Sequence, residues 1–361
     1  MAIDLCQDSD LEVISVDVNQ QVLEDLAKEH PIQIRVADLS TQEGVTRAIA
    51  DADIVIGSVP YSIGYSMLET VIRAGKNIVD ISYFMEDPFG LDKLAQAHGV
   101  TAVVDCGVVP GMANIILGYH TRKMKVDRYE CYVGGIPKSR DTPLEYLSPF
   151  PVLEVLEEYT GSGRLVEQGK VLVKPMLSET KTIDIDGVGT LACLNSDGLR
   201  TLISTMDIPD MFEKTLRYPG HVEFMRIFKD TGFLNMTPIQ LEGAAVRPID
   251  MTAALLSPLW KYEPGVADLT VMRLIISGVE DGKPVTYTYD MCDEYNPTTD
   301  TLSMAKTTGY TCTAVTRLVL EGHYSRTGIS PPEFVGAEEG CWKRVEQYLE
   351  ARGVQCTLAS S

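Results

Sequence analysis

The sequence predicts an α/β fold with a doubly wound parallel sheet, followed by a second region of mixed α and β structure. Residues 1–115 alternate apolar strand patterns with amphipathic helix patterns, which is typical of parallel strands joined by crossover helices. From about residue 129 onward the strand patterns lengthen, and glycine and proline become more frequent. That change favours antiparallel structure, so we expect two regions of different architecture.

The first region contains five predicted strands and four predicted helices. The strands are residues 11–17, 32–37, 53–57, 77–81 and 100–105, and the helices are residues 22–28, 41–50, 61–74 and 91–97. In the second region, residues 269–279 and 284–292 predict a hairpin, because the Asp281-Gly282 pair between them favours a tight reversal. Two further helices are predicted at residues 249–259 and 337–351.

The composition excludes several functional classes. Of 361 residues, 51 are acidic and 31 are basic, and the net charge of −20 repels the phosphate backbone of nucleic acids. The eight cysteines form no CxxC pair and have no histidine at ligand spacing, so we expect no metal site and reduced thiols in a cytoplasm. No apolar run approaches ~18 residues, and we therefore expect neither a membrane span nor a secretory leader.

Turns at the carboxyl ends of successive strands carry a functional signal. Open parallel sheets bind ligands at this edge, and in a Rossmann-like unit the acid that ends the second strand bonds the ribose of a dinucleotide. Asp17 occupies that position and favours NAD over NADP, because its charge repels a 2′-phosphate. We expect Asp38 near the adenine, and Ser58, Val59 and Pro60 under the cofactor. Each of these residues has an alternative interpretation as a plain strand end or turn.

The glycine-rich phosphate loop of such a unit lies ~20 residues before the acid, and counting back that distance from Asp17 passes Met1. We therefore expect the loop and the first strand of the sheet to be missing, about 10 to 15 residues in all. Without the amides of that loop, we expect cofactor binding to be weak.

Six motifs resemble those of one protein family. GSVPY at residues 57–61, VDCGVVPGMAN at 104–114 and YVGGIP at 132–137 resemble the saccharopine dehydrogenase-like superfamily. DGLRTL at 197–202, TLRYPGH at 215–221 and SMAKTTGY at 303–310 are similar to its lysine 6-dehydrogenase branch. Relatives begin with a strand and a glycine loop before the residues that match AIDLC at 2–6, so either the start was assigned at an internal methionine or the protein is truncated.

The resemblance implies three segments: a truncated NAD-binding Rossmann domain at residues 1–115, an inserted α+β substrate and dimerisation domain at 116–300, and a return to the first domain at 301–361. The implied reaction is NAD-dependent oxidative deamination of the side-chain amine of L-lysine, which releases ammonia and gives 2-aminoadipate 6-semialdehyde or its cyclised form, 1-piperideine-6-carboxylate. The implied assembly is a homodimer or a higher homo-oligomer. Saccharopine reductases carry Asp and Cys where this chain has Val109 and Val133.

An amino-acid substrate requires a partner for its carboxylate, and the planar fork of arginine suits that group best. Arg217 and Arg200 are the candidates, with internal salt bridges as an equal alternative for both. Asp197 is a candidate partner for the α-ammonium group.

Amine oxidation also requires a proton acceptor, because the amine must be uncharged when hydride leaves. Histidine titrates in the required range, and His221 is the best candidate among the five histidines. Its alternative role is that of a capping residue at the start of a helix. Tyr218 and Tyr83 are candidate hydroxyl donors to the same site.

Three hypotheses about function stay open. The first is an NAD-dependent dehydrogenase that oxidises lysine. The second is a saccharopine or carboxynorspermidine type reductase, which joins or splits an amino acid and an oxo acid. The third is a catalytically silent binding protein that retains the fold without its phosphate loop.

Overall fold

The structure of the protein, a computed structural model, describes residues 1–360. The chain forms two compact units. Unit 1 comprises residues 1–123 and 307–354, and unit 2 comprises residues 124–306 and the C-terminal strand that follows residue 354. No helix within residues 1–360 is both long enough and apolar enough to cross a membrane.

Helices and strands alternate along most of the described chain. The helices are α1 (Ala2–Leu5), α2 (Gln20–Glu29), α3 (Gln42–Ala48), α4 (Tyr61–Arg73), α5 (Asp92–Ala97), α6 (Met112–Thr121), α7 (Val152–Thr160), α8 (Leu202–Thr205), α9 (Pro219–Asp230), α10 (Pro248–Leu256), α11 (Ser303–Leu320), α12 (Pro332–Ala337) and α13 (Cys341–Glu350). The strands are β1 (Ile14–Asp17), β2 (Gln33–Val36), β3 (Ile54–Gly57), β4 (Asn77–Asp80), β5 (Thr101–Val103), β6 (Met124–Pro137), β7 (Ser162–Glu167), β8 (Lys170–Pro175), β9 (Lys181–Ile185), β10 (Gly189–Asn195), β11 (Asp210–Arg217), β12 (Ile239–Leu241), β13 (Ala244–Val246), β14 (Asp268–Glu280), β15 (Lys283–Glu294), β16 (Gly328–Ser330) and β17 (Thr357–Ser360).

Unit 1 contains two separate parallel sheets. β16, β5, β4 and β3 form one sheet in that order, and β1 and β2 form a parallel pair. Each of the five strands predicted in the first region contains one of the observed strands. Helices connect them, because parallel neighbours cannot be joined by a tight turn. The predicted α/β class with a parallel sheet is confirmed.

Helix α4 supplies much of the core of unit 1. Leu68, Val71 and Ile72 are 0% exposed and recur at the spacing that places them on one helix face. They pack in the same cluster as Ile78 of β4 and Phe84. Complete burial of an apolar side chain of this size contributes ~1.5–3 kcal/mol, so this stripe holds the helix on the sheet.

Unit 2 is built on a nine-stranded mixed sheet. Its order is β17-β15-β14-β6-β11-β10-β9, with β7 and β8 attached beside β11. The predicted hairpin is the pair β14 and β15, which are joined by Asp281 and Gly282. The φ angles of these two residues are 50° and 76°, as the favoured two-residue hairpin turn requires at both central positions.

Strand β11 places alternate side chains on opposite faces of this sheet. Leu216 packs into one core with Ile136 and Val271. Glu213 and Arg217 point to the other face, where α7, α9 and α10 bury a second apolar cluster around Trp260, which is 0% exposed. Two ionisable side chains therefore lie at buried positions beneath this helical layer.

Candidate active site

Two predicted cofactor residues of unit 1 lie at strand ends. Asp17 is the last residue of β1, and its Oδ1 accepts a hydrogen bond of 2.8 Å from the amide of Asn19. Asp38 follows β2, and its Oδ1 accepts from the amide and the hydroxyl of Ser40 at 2.9 Å and 2.6 Å. These bonds lower the pKa of Asp38. Both side chains are exposed carboxylates, and their predicted contact with a nucleotide stays a prediction.

The turn after β3 is held by its neighbours. The amide of Val59 donates to Ser82 Oγ at 3.0 Å, and Pro60 precedes α4. A Cβ atom on Gly57 would lie 2.2 Å from Asp80 Oδ1, so only glycine fits there. Ser58 itself is exposed at the end of β3. The backbone of this turn is therefore fixed in place, as a segment that passes under a ligand needs to be.

The strongest cluster of predicted residues lies in unit 2. The Tyr159 hydroxyl donates to His221 Nε2 at 2.8 Å and accepts from Arg217 Nε at 3.2 Å. His221 Nδ1 donates to the carbonyl of Leu144 at 3.0 Å. A carbonyl oxygen can only accept a hydrogen bond, so the proton of the neutral imidazole is on Nδ1. Arg217, Tyr159 and His221 therefore form one buried chain of hydrogen bonds, which we call the arginine chain.

Aromatic rings enclose the arginine chain. The ring of Tyr146 stacks on His221 with centroids 4.5 Å apart, and its centroid is 5.1 Å from the guanidinium carbon of Arg217. Trp260 packs edge-on against Tyr146 at 5.0 Å. Such rings exclude water, and the guanidinium gains a cation–π contact.

The surroundings of His221 do not favour the predicted role of a base with a pKa near neutrality. Its side chain is 0% exposed, and burial together with the charge of Arg217 lowers its pKa to about 3. Both ring nitrogens are already hydrogen-bonded. It does not cap α9 through its side chain either, because its ring bonds Tyr159 and Leu144 instead of the first helical amides. Its geometry is that of a residue that positions Tyr159.

The expected hydroxyl donor Tyr218 is also engaged. Its hydroxyl donates to the carbonyl of Pro137 at 3.0 Å, and the guanidinium carbon of Arg140 lies 5.0 Å from its ring. Burial raises the pKa of this phenol. Tyr83 lies in unit 1, three residues after the end of β4, and is exposed. The structure therefore places Tyr83 in a different unit from the arginine chain.

Asp197 already has a cationic partner within the protein. It accepts from Arg164 at 2.8 Å through each of its two oxygens, in a bidentate pair, and from the Arg164 amide at 3.0 Å. This pairing runs against its expected role with a substrate ammonium group. Arg200 has the positive φ of 47° and ends the same DGLR motif. The motif thus builds a turn, and its acid holds that turn to β7.

Glu213 is a candidate functional residue that the sequence reasoning missed. Its carboxyl group is buried, and burial raises its pKa from the ordinary 4.5 to about 7. A Cβ atom on Gly198 would lie 1.3 Å from Glu213 Oε2, so the glycine of the DGLR motif makes room for this carboxyl. A signal was available in the sequence: Glu213 is an acid in an apolar strand, and it lies on the same face of that strand as Arg217.

Arg217 is buried at 8% exposure and lies in no ion pair of the described residues. Its partners are the Tyr159 hydroxyl and the carbonyl of Leu216 at 2.9 Å. A guanidinium group stays charged, and a buried charge without a counter-ion costs several kcal/mol. A carboxylate bound here would offset that cost.

Two family models cover almost the whole chain. One is described as the saccharopine dehydrogenase NADP binding domain and matches residues 1–103. The other is described as the saccharopine dehydrogenase C-terminal domain and matches residues 103–354. The chain belongs to the saccharopine dehydrogenase family. The superfamily predicted from the six motifs is confirmed, and its lysine 6-dehydrogenase branch stays a prediction.

Curated relatives of this saccharopine dehydrogenase family member share low sequence identity with it but align with most of its length. The saccharopine dehydrogenase (NADP(+), L-glutamate-forming) of Schizosaccharomyces pombe is 22% identical over 370 residues, which cover 82% of each chain. The carboxyaminopropylagmatine dehydrogenase of Synechocystis sp. is 22% identical over 297 residues, covering 78% of this chain and 72% of that protein. The family models and these relatives make the chain an oxidoreductase of the amino-acid dehydrogenase type.

Solved structures share the fold of this family member. The apo saccharopine dehydrogenase (L-Glu forming) of Saccharomyces cerevisiae superposes with a TM-score of 0.82 at 20% identity, covering 100% of this chain and 96% of the other. The homospermidine synthase of Legionella pneumophila, solved with NAD, gives a TM-score of 0.62 at 9% identity, covering 97% and 86%. At these identities the likeness shows a common fold.

Proposed function

We propose that the protein catalyses NAD-dependent oxidative deamination of the side-chain amine of L-lysine, giving 2-aminoadipate 6-semialdehyde, or cyclised 1-piperideine-6-carboxylate, and ammonia. The observation that carries the proposal is the buried guanidinium of Arg217, which has no carboxylate partner in the described residues. A charged group in that setting recognises an anion, and the substrate of an amino-acid dehydrogenase supplies one in its α-carboxylate.

Arg217 has donors left for a bidentate contact. Its Nε–H bonds Tyr159 and one Nη1–H bonds the carbonyl of Leu216, which leaves three of its five N–H groups. The rest of the arginine chain keeps the guanidinium in one orientation, because Tyr159 is itself held by His221. Preorganisation of this kind raises affinity without a new contact.

Glu213 is the group best suited to manage protons. With a pKa of about 7, its carboxylate takes a proton near neutral pH, as removal of a proton from a substrate ammonium group and activation of water both require. It lies on the same face of β11 as Arg217, four residues away. Four residues of strand separate the two Cα atoms by ~13 Å. That spacing leaves room for an extended aliphatic chain between carboxylate and amine.

NAD is the proposed oxidant, and it supplies the site that accepts hydride. Asp17 at the end of β1 fits the ribose of such a nucleotide, and its charge opposes a 2′-phosphate. The family model for this region is described as NADP binding, so the choice between the two nucleotides is part of the test.

The test is the rate of NADH formation at 340 nm with L-lysine and millimolar NAD, with ammonia measured in the same samples. We expect equal amounts of NADH and ammonia with lysine, little reaction with NADP, and none with cadaverine, which lacks the carboxylate. The matched control is Glu242→Gln, an exposed acid of unit 2, which leaves the rate unchanged, whereas Glu213→Gln lowers it at least ~100-fold. NADH without ammonia, or equal rates with cadaverine, contradicts the proposal.

A second candidate is a saccharopine or carboxynorspermidine type reductase. The names of the relatives favour it, since they include saccharopine and carboxyaminopropylagmatine dehydrogenases. The apolar Val109 and Val133, at positions where the resemblance implies polar groups in saccharopine reductases, argue against it. Oxidation of NADPH by an aldehyde together with an amino acid, and no reaction with lysine alone, would establish this candidate instead.

A further inference from the structure

Strands β12 and β13 form a hairpin that is separate from the nine-stranded sheet of unit 2. Within residues 1–360 they pair only with each other, and every residue from Ile239 to Ala245 is exposed. Because successive side chains of a strand point to opposite faces, both faces of the hairpin are exposed. A two-stranded hairpin is marginally stable in water and gains stability when another surface packs against it. We call residues 231–247, which contain this hairpin and connect α9 to α10, the arm.

The arm exposes large apolar side chains from a fixed base. Four of them are between 43% and 52% exposed, namely Phe233, Met236, Ile239 and Leu241. At the base, the amide of Ile249 donates to the carbonyl of Asn235 at 3.2 Å, and the Thr252 hydroxyl donates to the carbonyl of Phe233 at 2.9 Å. The arm is therefore held beside α10.

Helix α10 carries apolar residues on its outward face as well as its inward face. Its inward residues pack in the cluster around Trp260. Its outward residues Met251 and Leu255, with Leu259 in the turn after the helix, are 38%, 63% and 49% exposed and recur at intervals of four. A helix that is apolar all round is normally buried. We call these three residues the outward stripe, and together with the arm they form what we call the arm surface.

The size of the arm surface matches that of a protein interface. Its seven large apolar side chains are about half exposed on average. With ~150 Å² for each side chain when fully exposed, they present on the order of 500 Å² of apolar surface. A standard interface covers ~800 Å² on each partner, of which ~57% is apolar. The arm surface therefore supplies the apolar area that one partner of a stable dimer contributes.

The distribution of charge favours a second copy of this chain as the occupant. The net charge is −20, so two copies repel one another in general. Residues 231–241 and 251–260 contain no charged residue and no histidine, and between them Arg247 and Asp250 form a bidentate pair at 2.8 Å and 2.6 Å. A basic partner would find only Glu242, in the turn of the hairpin, as an unpaired acid on the arm. Two copies of an acidic chain can approach at this neutral surface with little repulsion.

We propose that the arm surface binds the same surface of a second copy of this chain, in a dimer with a two-fold axis. Such an interface is self-complementary, so the arm of each copy covers the outward stripe of the other. The exposed apolar side chains then gain cover, and each hairpin gains the packing that two strands alone lack. This assignment rests on the exposed surface alone and is independent of the reaction proposed above.

Sedimentation velocity of the full chain across a wide range of concentration tests the proposal. We expect a dimer at micromolar concentration. Leu255→Glu places a charge in the interface and is expected to weaken the dimer at least ~100-fold, because the carboxylate would be buried without a partner. The matched control is Val173→Glu on β8, which replaces an apolar side chain of 66% exposure outside the arm surface and is expected to keep the dimer. Circular dichroism checks that both variants fold.

Amide exchange then locates the interface. In the parent chain we expect exchange in residues 239–246 to slow at least ~tenfold as the dimer forms, and in Leu255→Glu we expect it to stay fast at the same concentrations. A parent chain that is monomeric at micromolar concentration overturns the proposal, since the arm surface is then left to another partner or to solvent. So does an assembly that Leu255→Glu leaves intact, because a different surface then joins the copies.

Discussion

Glu213 and Arg217 lie on one face of β11, and burial affects these two side chains in different ways. A buried carboxyl group avoids its desolvation cost by keeping a proton, and the pKa of Glu213 is raised to about 7 accordingly. A guanidinium group cannot lose its proton, so Arg217 stays charged. The strand therefore presents a group that titrates near neutrality and a permanent cation to the same buried region.

Glu213 makes stability depend on pH. Its folded pKa of about 7 exceeds its ordinary value of 4.5, so the folded state binds more protons than the unfolded state between these values. The free energy of unfolding then falls as pH rises through this window, by ~3 kcal/mol in total.

We expect Glu213→Gln to remove this dependence, because the amide does not titrate. Urea unfolding at pH 5 and pH 8 measures it, with exposed Glu242→Gln as the control that keeps the parental difference. A Glu213→Gln protein that loses as much stability between pH 5 and pH 8 as the parent would show that this carboxyl group is not the cause.

Single residues could be located from the sequence more readily than their roles. The motif TLRYPGH drew attention to Arg217 and His221, which the structure joins through Tyr159. The role of His221 could not be predicted, because its pKa depends on burial by rings far along the chain, such as Tyr146 and Trp260. Glu213 was missed for the same physical reason.

At the scale of elements, the short helix α1 is held by one buried carboxylate. Asp4 accepts hydrogen bonds from Thr313 at 2.7 Å and Tyr348 at 2.6 Å, and it pairs with Arg317 at 3.7 Å and with Arg352. Burial favours protonation of Asp4, but the bonds from Tyr348, Thr313 and Arg352 outweigh it and lower its pKa. A helix of four residues cannot hold its own conformation, so these bonds anchor it.

We expect Asp4→Asn to lower the free energy of unfolding by ~3 kcal/mol, because it leaves buried cationic partners without their counter-ion. Thermal or urea unfolding measures the loss. The control is Asp8→Asn, a more exposed acid 3.6 Å from the same Arg317, for which we expect a change within ~0.5 kcal/mol. Equal losses for the two variants would contradict the anchoring role.

Elements with a local signal were predictable, and those with a distant cause were not. Every strand of the first region and the hairpin of β14 and β15 follow from local patterns. The start of α11 does not, because Asp268 fixes it from 35 residues away by accepting from the amides of Ser303 and Met304. The parallel pairing of β6 with β11 likewise joins distant segments, and the sequence pattern of neither strand indicates its partner.

At the scale of the whole molecule, acids outnumber bases by 51 to 31, so carboxylate partners are abundant. Arg35, Arg164 and Arg273 each form a bidentate pair with an aspartate. Arg217 is buried more deeply than these and lies in no ion pair of the described residues. Arg217 thus stays without an internal carboxylate partner although the chain is rich in acids.

The family could be predicted from the sequence because six ordered motifs extend from residue 57 to residue 310, and the family models confirm it. The substrate could not be predicted in the same way, because its proposed contacts depend on which side chains of unit 2 stay available once the internal pairs have formed. Asp197, taken by Arg164, and Arg217, left without a carboxylate, illustrate the difference.

The proposed function depends most directly on Arg217 as the residue that would bind the substrate carboxylate. Calorimetric titration of the protein with L-lysine and with cadaverine tests it, since the two amines differ only in that carboxylate. We expect lysine alone to bind, and Arg217→Lys to weaken it by ~10-fold or more through loss of the bidentate fork, while the more exposed Arg226→Lys on α9 leaves it unchanged. Binding of cadaverine as tight as that of lysine, or unchanged lysine affinity in Arg217→Lys, would contradict the account.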